Sequence, residues 1–393
     1  MDLGRRGIGT ALSSRSWRHR ALRVVGCALA TVAVVAVAAC ASPGSSGNSG
    51  STAAGAAGAN VTAAMAGLAA FTGKPSPFPV TEPLAKPLPA GTKFVYLDAS
   101  DPIGAQIGQL LKSAVAAVGG QFIAIPAGET ASSAQAAAAS AVADHPAVVL
   151  IPAFLPNEFG GELQALRSEG AKIVGAGMIG WQKYGISSCV GCEALETTQG
   201  TLLADWVVAH EGAKANTVFY SVPELNFTAT MWTAFRAQLA KLCPGCAVRN
   251  VPVDFSTIGT TAPQTIVNDL QSHSGTNVAV FSSMDMAQGL PTAMSAAGVN
   301  VATIGSTPTT ENLQDIKAGK MTAGVALAVN ITAWTMVDVG AKLVIGQTPQ
   351  PSEAVGTAIQ LLQGNDISFS PTDGWLGYAD YAQRFAELWH PGK

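Results

Sequence analysis

From Thr92 onward, short apolar segments of β-type residues alternate with alanine-rich helical segments, and this alternation constrains the fold more than any other feature. The spacing predicts βαβ units with right-handed crossovers, and hence parallel sheets with helices on both faces. The segment AVVLIP at 147–152 supports this, because a strand covered on both faces has no polar side. Two such series follow each other, so we predict an α/β protein with two similar lobes.

The pattern predicts the following elements. In the first series we predict strands at 93–97, 121–125, 147–152 and 172–176, and helices at 103–118, 131–143 and 160–169. In the second series we predict strands at 217–220, 248–252, 278–281 and 301–304, and helices at 228–242, 263–271 and 286–297. Open α/β sheets bind ligands outside the carboxyl ends of their strands, so two lobes facing each other at those ends would enclose one cleft.

The residues that follow the predicted strands are therefore candidates for ligand binding. They offer carboxylate, amide, hydroxyl, thioether and aromatic groups: Asp101, Glu129, Phe154, Met178, Asn226, Phe227, Asp285, Thr307 and Asn330. Asp285 lies in the loop between an apolar strand and a helix, so we expect its side chain to face the other lobe. A carboxylate there can accept two hydrogen bonds from a ligand. We expect no buried group of the protein to depend on it.

The first forty residues have the pattern of an export signal. Six arginines precede an uncharged segment of sixteen residues, Val24–Ala39, which is shorter than the roughly twenty residues that span a bilayer. The segment ends in Val37-Ala38-Ala39-Cys40, which resembles the lipobox of bacterial lipoproteins. The resemblance implies cleavage of a signal peptide at 1–39, lipidation (palmitate) of Cys40, and anchoring on the outer face of the cell membrane. The alternative is an uncleaved membrane anchor.

Residues 40–91 are predicted to form a lipidated Gly/Ser/Ala tether followed by a proline-rich lead-in. The segment 41–60 consists almost entirely of Gly, Ser, Ala and other small residues, which form flexible linkers. A proline-rich lead-in, KPSPFPVTEPLAKPLPAG, follows at 74–91 and is expected to be extended and fairly stiff. We therefore predict that the folded body begins near Thr92.

Four cysteines remain after Cys27 and Cys40 are set aside, and they form two C-x-x-C motifs: Cys189, Cys192, Cys243 and Cys246. In an extracytoplasmic protein, an even set of four cysteines predicts two disulfides. Local pairing within each motif is our preferred interpretation. Cross-paired disulfides, and a metal or redox role, are the alternatives. The fifty residues between the motifs exceed the spacing of zinc ribbons, so we predict no metal site.

Composition and motifs argue against several function classes. Charged residues make up 12% of the chain, and residues 40–393 carry 16 basic and 24 acidic side chains, so no basic face is available for nucleic acid. The sequence contains no G-x-S-x-G, P-loop or H-E-x-x-H motif. Its five histidines are scattered. We therefore predict a protein that is not an enzyme and needs no cofactor. The alternative within the enzyme class is a hydrolase on a similar α/β scaffold.

The order of the segments resembles that of the type I periplasmic, ribose-binding-like, solute-binding proteins of ABC importers. The resemblance rests on KFVYLDASDPIGAQIGQLLKSAVAAVGG, AVVLIPAF, NVAVFSSMDMAQGLPTAMSAAG and VATIGSTPTTENLQDIKAGKMTAGVALAV, and covers about residues 92–350. Asp285 matches an acidic position of that family. The resemblance implies lobe one at 92–192 and 329–357, lobe two at 193–328 and 358–393, and hinge closure around a ligand.

The function implied is that of a lipid-anchored, monomeric solute-binding protein. It would capture a small polar or amphipathic solute such as a sugar, and would deliver it to an ABC transporter permease. The alternative is a ligand-sensing lipoprotein that presents its closed form to a membrane receptor or kinase. The C-terminal segment GWLGYADYAQRFAELWH predicts an amphipathic helix, which would pack on the body or bind a partner.

Overall fold

The computed structural model describes residues 58–99, 101–128, 130–350 and 358–390. The predicted signal peptide, the lipidation site Cys40 and most of the small-residue linker lie outside the described residues.

The described elements alternate as expected. The helices are α1 Val61–Leu68, α2 Pro102–Val118, α3 Ala131–Ala143, α4 Glu162–Ser168, α5 Glu193–Glu211, α6 Phe227–Leu242, α7 Ala262–Ser272, α8 Leu290–Ala296, α9 Thr310–Lys317, α10 Val329–Val344 and α11 Tyr381–Trp389. The strands are β1 Lys93–Asp98, β2 Gln121–Pro126, β3 Val148–Pro152, β4 Lys172–Ala176, β5 Ser188–Val190, β6 Asn216–Ser221, β7 Ala247–Pro252, β8 Val278–Phe281, β9 Ala302–Gly305, β10 Gly324–Leu327 and β11 Ile359–Leu362. Within this described part, no helix has the length and apolar character needed to cross a membrane.

The first lobe is built on a five-stranded parallel sheet in the order β2-β1-β3-β4-β5. Alternate side chains of β1 point to opposite faces, as strand geometry requires. Val95 and Leu97 pack with α3 and α4, whereas Phe94 and Tyr96 pack with α2 and α10. Every residue of β3 is buried, which explains its wholly apolar sequence.

The second lobe is built on a four-stranded parallel sheet in the order β7-β6-β8-β9. Helices α5 and α6 cover one face, and α7 and α8 cover the other. The antiparallel pair β10-β11 continues this sheet through a bridge between Ser306 and Val325. The helix predicted at 286–297 begins only at Leu290, because a 3-10 turn at Met284–Ala287 and Gly289, at φ 75°, precede it.

The C-terminal helix belongs to the first lobe, so the prediction that 358–393 lies wholly in lobe two is wrong. β11 pairs with β10 of the second lobe, but α11 packs on α2 and α10. Phe385 and Trp389 are buried in the same cluster as Phe94 and Tyr96. Nε2 of His390 lies 2.9 Å from the carbonyl oxygen of Ala117. The amphipathic helix thus covers apolar surface of its own chain.

The folded body also begins earlier than Thr92. Helix α1 packs on α5 and α6 of the second lobe, with Ala64 and Leu68 buried. The proline-rich lead-in then packs on the first lobe, where Phe78, Val80 and Leu84 are buried and Leu88 is partly buried. The prediction that the folded body begins near Thr92 is therefore wrong. We refer to residues 74–88 as the strap.

Candidate functional site

The carboxyl ends of both sheets face one cavity of about 110 Å³. The first lobe contributes the residues after β1, β3 and β4, including Asp101, Ala153 and Gly177. The second lobe contributes Phe227 at the start of α6 and Thr307 after β9. The cavity therefore exists only where the two lobes meet, which is the position expected for a ligand site in open α/β sheets.

The lobes touch at the rim of this cavity. The amide N–H of Asn226 donates to the carbonyl oxygen of Ala153 at 3.1 Å, and the Asn226 side chain donates to the carbonyl oxygen of Ile179 at 3.3 Å. Ala153 and Ile179 follow strands of the first lobe, whereas Asn226 precedes α6 of the second. The structure is thus a closed arrangement of the two lobes.

Two lining residues have left-handed backbone conformations that are uncommon outside glycine. Ala153 has φ 56° and Thr307 has φ 54°. Such conformations persist only where surrounding contacts fix them, and they cluster at binding sites. Here the Ala153 N–H donates to Ala176 at 2.7 Å, and the Thr307 N–H donates to Val325 at 2.9 Å. Each residue is therefore anchored to a neighbouring strand of its own lobe.

Most of the cavity wall is apolar. Ile103 and Ile107 of α2, together with Val190, Leu225, Leu327 and Val329, line it. The polar side chains on the wall are Asp101, Glu196, Gln199, Ser283, Thr307 and Thr332. Among the described lining residues, none is Lys, Arg or His. The wall therefore offers carboxyl, amide and hydroxyl groups but no positive charge.

Glu196 and Gln199 lie three residues apart in the first part of α5, which places them on one side of the helix. Glu196 is 4% exposed and Gln199 is 2% exposed. Oε2 of Glu196 and Nε2 of Gln199 have no hydrogen-bond partner, and the same holds for Oγ1 of Thr332 on α10. Burial raises the pKa of Glu196 to about 8. These groups are buried, polar and directed to the same cavity.

Gly177, Glu196 and Phe227 form one corner of the cavity. A Cβ atom at position 177 would lie 3.6 Å from Cδ1 of Phe227 and 3.7 Å from Oε1 of Glu196. Gly177 also has φ 61°, so a side chain there would strain the backbone. The carboxyl group and the aromatic ring are therefore close enough to contact the same ligand group.

Asp101 and Asp285 form a carboxyl pair across the cleft. Asp101 is the N-cap of α2 and accepts a hydrogen bond from the Gly104 N–H at 2.7 Å. Burial, and then the negative charge of Asp285, raise the pKa of Asp101. Burial also raises the pKa of Asp285, against the lowering effect of hydrogen bonds from Ser283, Asp101 and the Met286 N–H.

The structure brings three of the nine predicted binding residues to the cavity wall, namely Asp101, Phe227 and Thr307. Asp285 is fully buried behind the wall, where it contacts Asp101. The expectation that Asp285 has no buried partner is therefore wrong.

The other predicted residues do not line this cavity. Phe154 borders a separate, smaller cavity of about 20 Å³. Met178 is fully buried in the core. Asn226 connects the lobes, and Asn330 donates to the Leu376 carbonyl at 3.0 Å. Glu129 lies outside the described residues.

Four polar residues of the wall were not predicted from the sequence: Glu196, Gln199, Ser283 and Thr332. No element was predicted at 193–211 or 329–344, because these helices have no clear apolar stripe: α5 and α10 are buried along much of their length. The predicted binding residues follow strands, whereas Glu196 and Thr332 lie on helices that follow crossings between the lobes. The sequence signal that could have identified this part of the wall is a carboxylate and an amide one helical turn apart, at Glu196 and Gln199.

The cysteines pair within their motifs in the structure. Cys189 is joined to Cys192, and Cys243 to Cys246, with Cα–Cα distances of 6.0 and 5.4 Å. The first pair joins Cys189 in β5 to Cys192 at the N-cap of α5, and the Met178 N–H donates to Sγ of Cys192 at 3.3 Å. The second pair follows α6 and precedes β7, at the end of the second lobe away from the cavity. Within the described residues, no cluster of His, Cys, Asp or Glu is arranged to hold a metal ion.

Comparison with known proteins identifies the fold. No protein-family model matches the chain, and no curated protein matches it. Among solved structures, a myo-inositol-binding protein from Caulobacter is 21% identical, with a TM-score of 0.63 over 74% of this chain and 100% of its own. A carbohydrate transporter solute-binding protein from Agrobacterium radiobacter, in complex with D-arabinose, is 17% identical, with a TM-score of 0.64 over 73% and 99%. A periplasmic ribose ABC transporter protein from Conexibacter woesei is 16% identical, with a TM-score of 0.60 over 76% and 98%.

These similarities define the class of fold. The chain has the two-lobed α/β fold of the type I periplasmic binding proteins, and the predicted fold class is confirmed. Two of the similar structures are named as transport proteins, one a carbohydrate transporter solute-binding protein and the other a periplasmic ribose ABC transporter. Sequence identity at this level shows the fold alone.

Proposed function

We propose that this protein is a non-catalytic, extracytoplasmic solute-binding protein. It captures a small polar or amphipathic solute by closure of its two lobes and delivers that solute to an ABC transporter permease. The observation that carries the proposal is the cavity built by both lobes at the carboxyl ends of their sheets. A ligand bound there contacts both lobes at once, so it stabilises the closed arrangement and gives the permease a surface that depends on ligand.

The sugar-binding proteins among its structural neighbours make sugars and polyols the first solutes to test. The screen measures thermal midpoints of the full-length protein, purified from membranes in detergent, with sugars, polyols, nucleosides and small amines. A ligand present at 100 times its Kd adds about 2.7 kcal/mol to the stability of the folded state. Small-angle scattering then measures the radius of gyration, which should fall when the ligand closes the lobes.

A matched pair of variants locates the site. Ile103→Trp places a bulky ring in the cavity and should abolish the ligand-induced rise in midpoint. Met65→Trp makes the same kind of change on α1, where Met65 is 62% exposed, and should leave the rise intact. A ligand that still binds the Ile103→Trp variant normally would place the binding site elsewhere.

Lipid anchoring at Cys40 and transport are tested in cells. Cys40→Ala should block both signal-peptide processing and lipid labelling; a mature-sized variant retained normally on the membrane would contradict the anchor. Loss of the gene should abolish ATP-driven uptake of the solute. Intact uptake with a lost transcriptional response would instead identify the protein as a sensor for a membrane receptor or kinase.

A further inference from the structure

The cavity has an unusual balance of charge and polarity for a site that would receive a neutral polyol. The ionisable side chains on its described wall are Asp101 and Glu196, both acidic. Ile103, Ile107 and Phe227 form part of an otherwise mainly apolar surface. A polyol would place several hydroxyl groups against aliphatic carbon, and burying a hydroxyl without a hydrogen bond is unfavourable. An anion would meet two carboxyl groups and no cation.

Glu196 supplies the observation that points to a ligand group. Its side chain is nine-tenths buried or more, it lines the cavity, and Oε2 has no partner in the protein. A buried carboxylate without a counter-charge is costly, and the charged form becomes favourable when a cation binds it. The ring of Phe227 lies at the same corner, beside Gly177, and an aromatic face attracts a cation further.

A second unpaired group limits the rest of the ligand. Nε2 of Gln199, one helical turn beyond Glu196, is a donor that has no acceptor. A ligand that fills this cavity therefore binds more tightly if it carries an oxygen acceptor close to its positive group. The remaining wall, largely aliphatic, suits a compact apolar body.

We propose that the solute is a small amphipathic cation, a protonated amine with a nearby hydroxyl or other oxygen. Its ammonium group binds Glu196 beside Phe227, its oxygen accepts from Gln199, and its apolar part packs on α2. The inference rests on the proposed function, because it names the chemical class of the solute that the closed lobes hold.

The test uses pairs of compounds that differ only in the charged group. Phenethylamine is compared with phenethyl alcohol, trans-4-aminocyclohexanol with trans-1,4-cyclohexanediol, and D-glucosamine with D-glucose. Calorimetry and thermal midpoints are measured on the full-length protein at pH 7. At least one amine should bind ten times or more tightly than its neutral partner.

Two variants on one helix test the role of Glu196. Glu196→Gln removes the charge from the cavity and should weaken the best amine at least tenfold. Glu193→Gln makes the same change on the exposed side of α5, where the amide oxygen can still accept from the Gly180 N–H, and should leave the affinity unchanged. Amine binding to wild type should also release a proton at pH 7, seen as a heat that depends on the buffer, because burial of Glu196 favours its protonated form before the cation arrives.

The outcomes separate the two proposals. If sugars or diols bind as tightly as the amines, or if Glu196→Gln leaves amine affinity unchanged, the proposal of a cationic solute is wrong. The proposal of solute capture then still holds. The proposal of a cationic solute is also wrong if no amine of the panel binds. If, in addition, no sugar, polyol or nucleoside raises the midpoint or reduces the radius of gyration, solute capture by lobe closure fails as well.

Discussion

Asp101 and Asp285 belong to different lobes, and their carboxyl groups face each other across the cleft within hydrogen-bonding range. Two carboxylates at this separation repel each other, so the pair is stable when one proton is shared between them. Each carboxyl group also accepts a backbone hydrogen bond within its own lobe. Asp101 does so as the N-cap of α2, and Asp285 accepts from the Met286 N–H at 2.9 Å. The energy of the closed arrangement therefore depends on the protonation of this pair.

The first prediction follows from this pair. The pKa of Asp101 rises to about 7 in the folded protein, whereas an aspartate in an unfolded chain titrates near 4. Between these values the folded protein holds a proton that the unfolded chain has released. The stabilisation is complete below pH 4 and is lost as the pH rises through 7. We expect the thermal midpoint of the ligand-free protein to fall over this interval.

Asp101→Asn isolates the contribution of this carboxyl. Asparagine is an equally good N-cap and stays neutral, so the variant keeps the cap of α2 but loses the titration. The midpoint of the variant, compared with that of wild type, should improve steadily from pH 4 to pH 7 and then level off. Parallel midpoint curves for the two proteins would show that Asp101 does not titrate in this range.

The local pattern of the chain predicts much of the fold. The bounds of β4, β8 and α3 agree with the sequence prediction, because apolar runs of strand length and alanine-rich runs of helix length carry their own signal. The position of the cavity between the lobes was also predictable, since it follows from parallel topology.

The side chains of the cavity were less predictable, for a physical reason. Glu196 reaches the site only because α5 packs against α6 at the crossing between the lobes, and Asp285 contacts Asp101 only because the lobes are closed. Neither relationship is encoded in the residues next to it. Likewise, the prolines of the strap indicate a linker, while its burial depends on Phe78, Val80 and Leu84 finding the surface of the first lobe.

The second prediction concerns the cysteines. If both motifs are oxidised, the intact mass of the secreted protein should be four hydrogens below that of the reduced chain, and no thiol of the mature body should react with a maleimide. Reduction should cost less than the roughly 3 kcal/mol associated with a 15-residue loop, because each disulfide closes a much shorter one. Stoichiometric zinc in protein from an oxidising compartment, or peptides that link the two motifs, would contradict the local pairing.

The third prediction concerns a buried ion pair on α10. Lys342 is fully buried, its Nζ lies 2.8 Å from Oδ2 of Asp338, and the Trp389 indole donates to Oδ1 at 2.9 Å. Lys342→Met leaves a buried carboxylate without its cation and should lower the free energy of unfolding by about 3–5 kcal/mol. Urea denaturation measures the change.

A control and a rescue make this prediction specific. Lys112→Met on α2 replaces an exposed lysine and should change stability by less than about 0.5 kcal/mol. Combining Lys342→Met with Asp338→Asn removes the unpaired charge but keeps an acceptor for Trp389, so the double variant should be more stable than Lys342→Met alone. If the double variant is the less stable of the two, the loss comes from packing and not from charge.

The last prediction tests whether the strap is part of the folded body. Leu84 is 3% exposed, and its N–H donates to the carbonyl oxygen of Leu388 on α11 at 2.9 Å. Leu84→Ala removes buried methyl groups from the first lobe and should lower the free energy of unfolding by about 2–5 kcal/mol. Lys86→Ala, two residues further along and exposed, should change it by less than about 0.5 kcal/mol. Equal and small effects of the two substitutions in urea denaturation would mean that the strap does not pack on the lobe in solution.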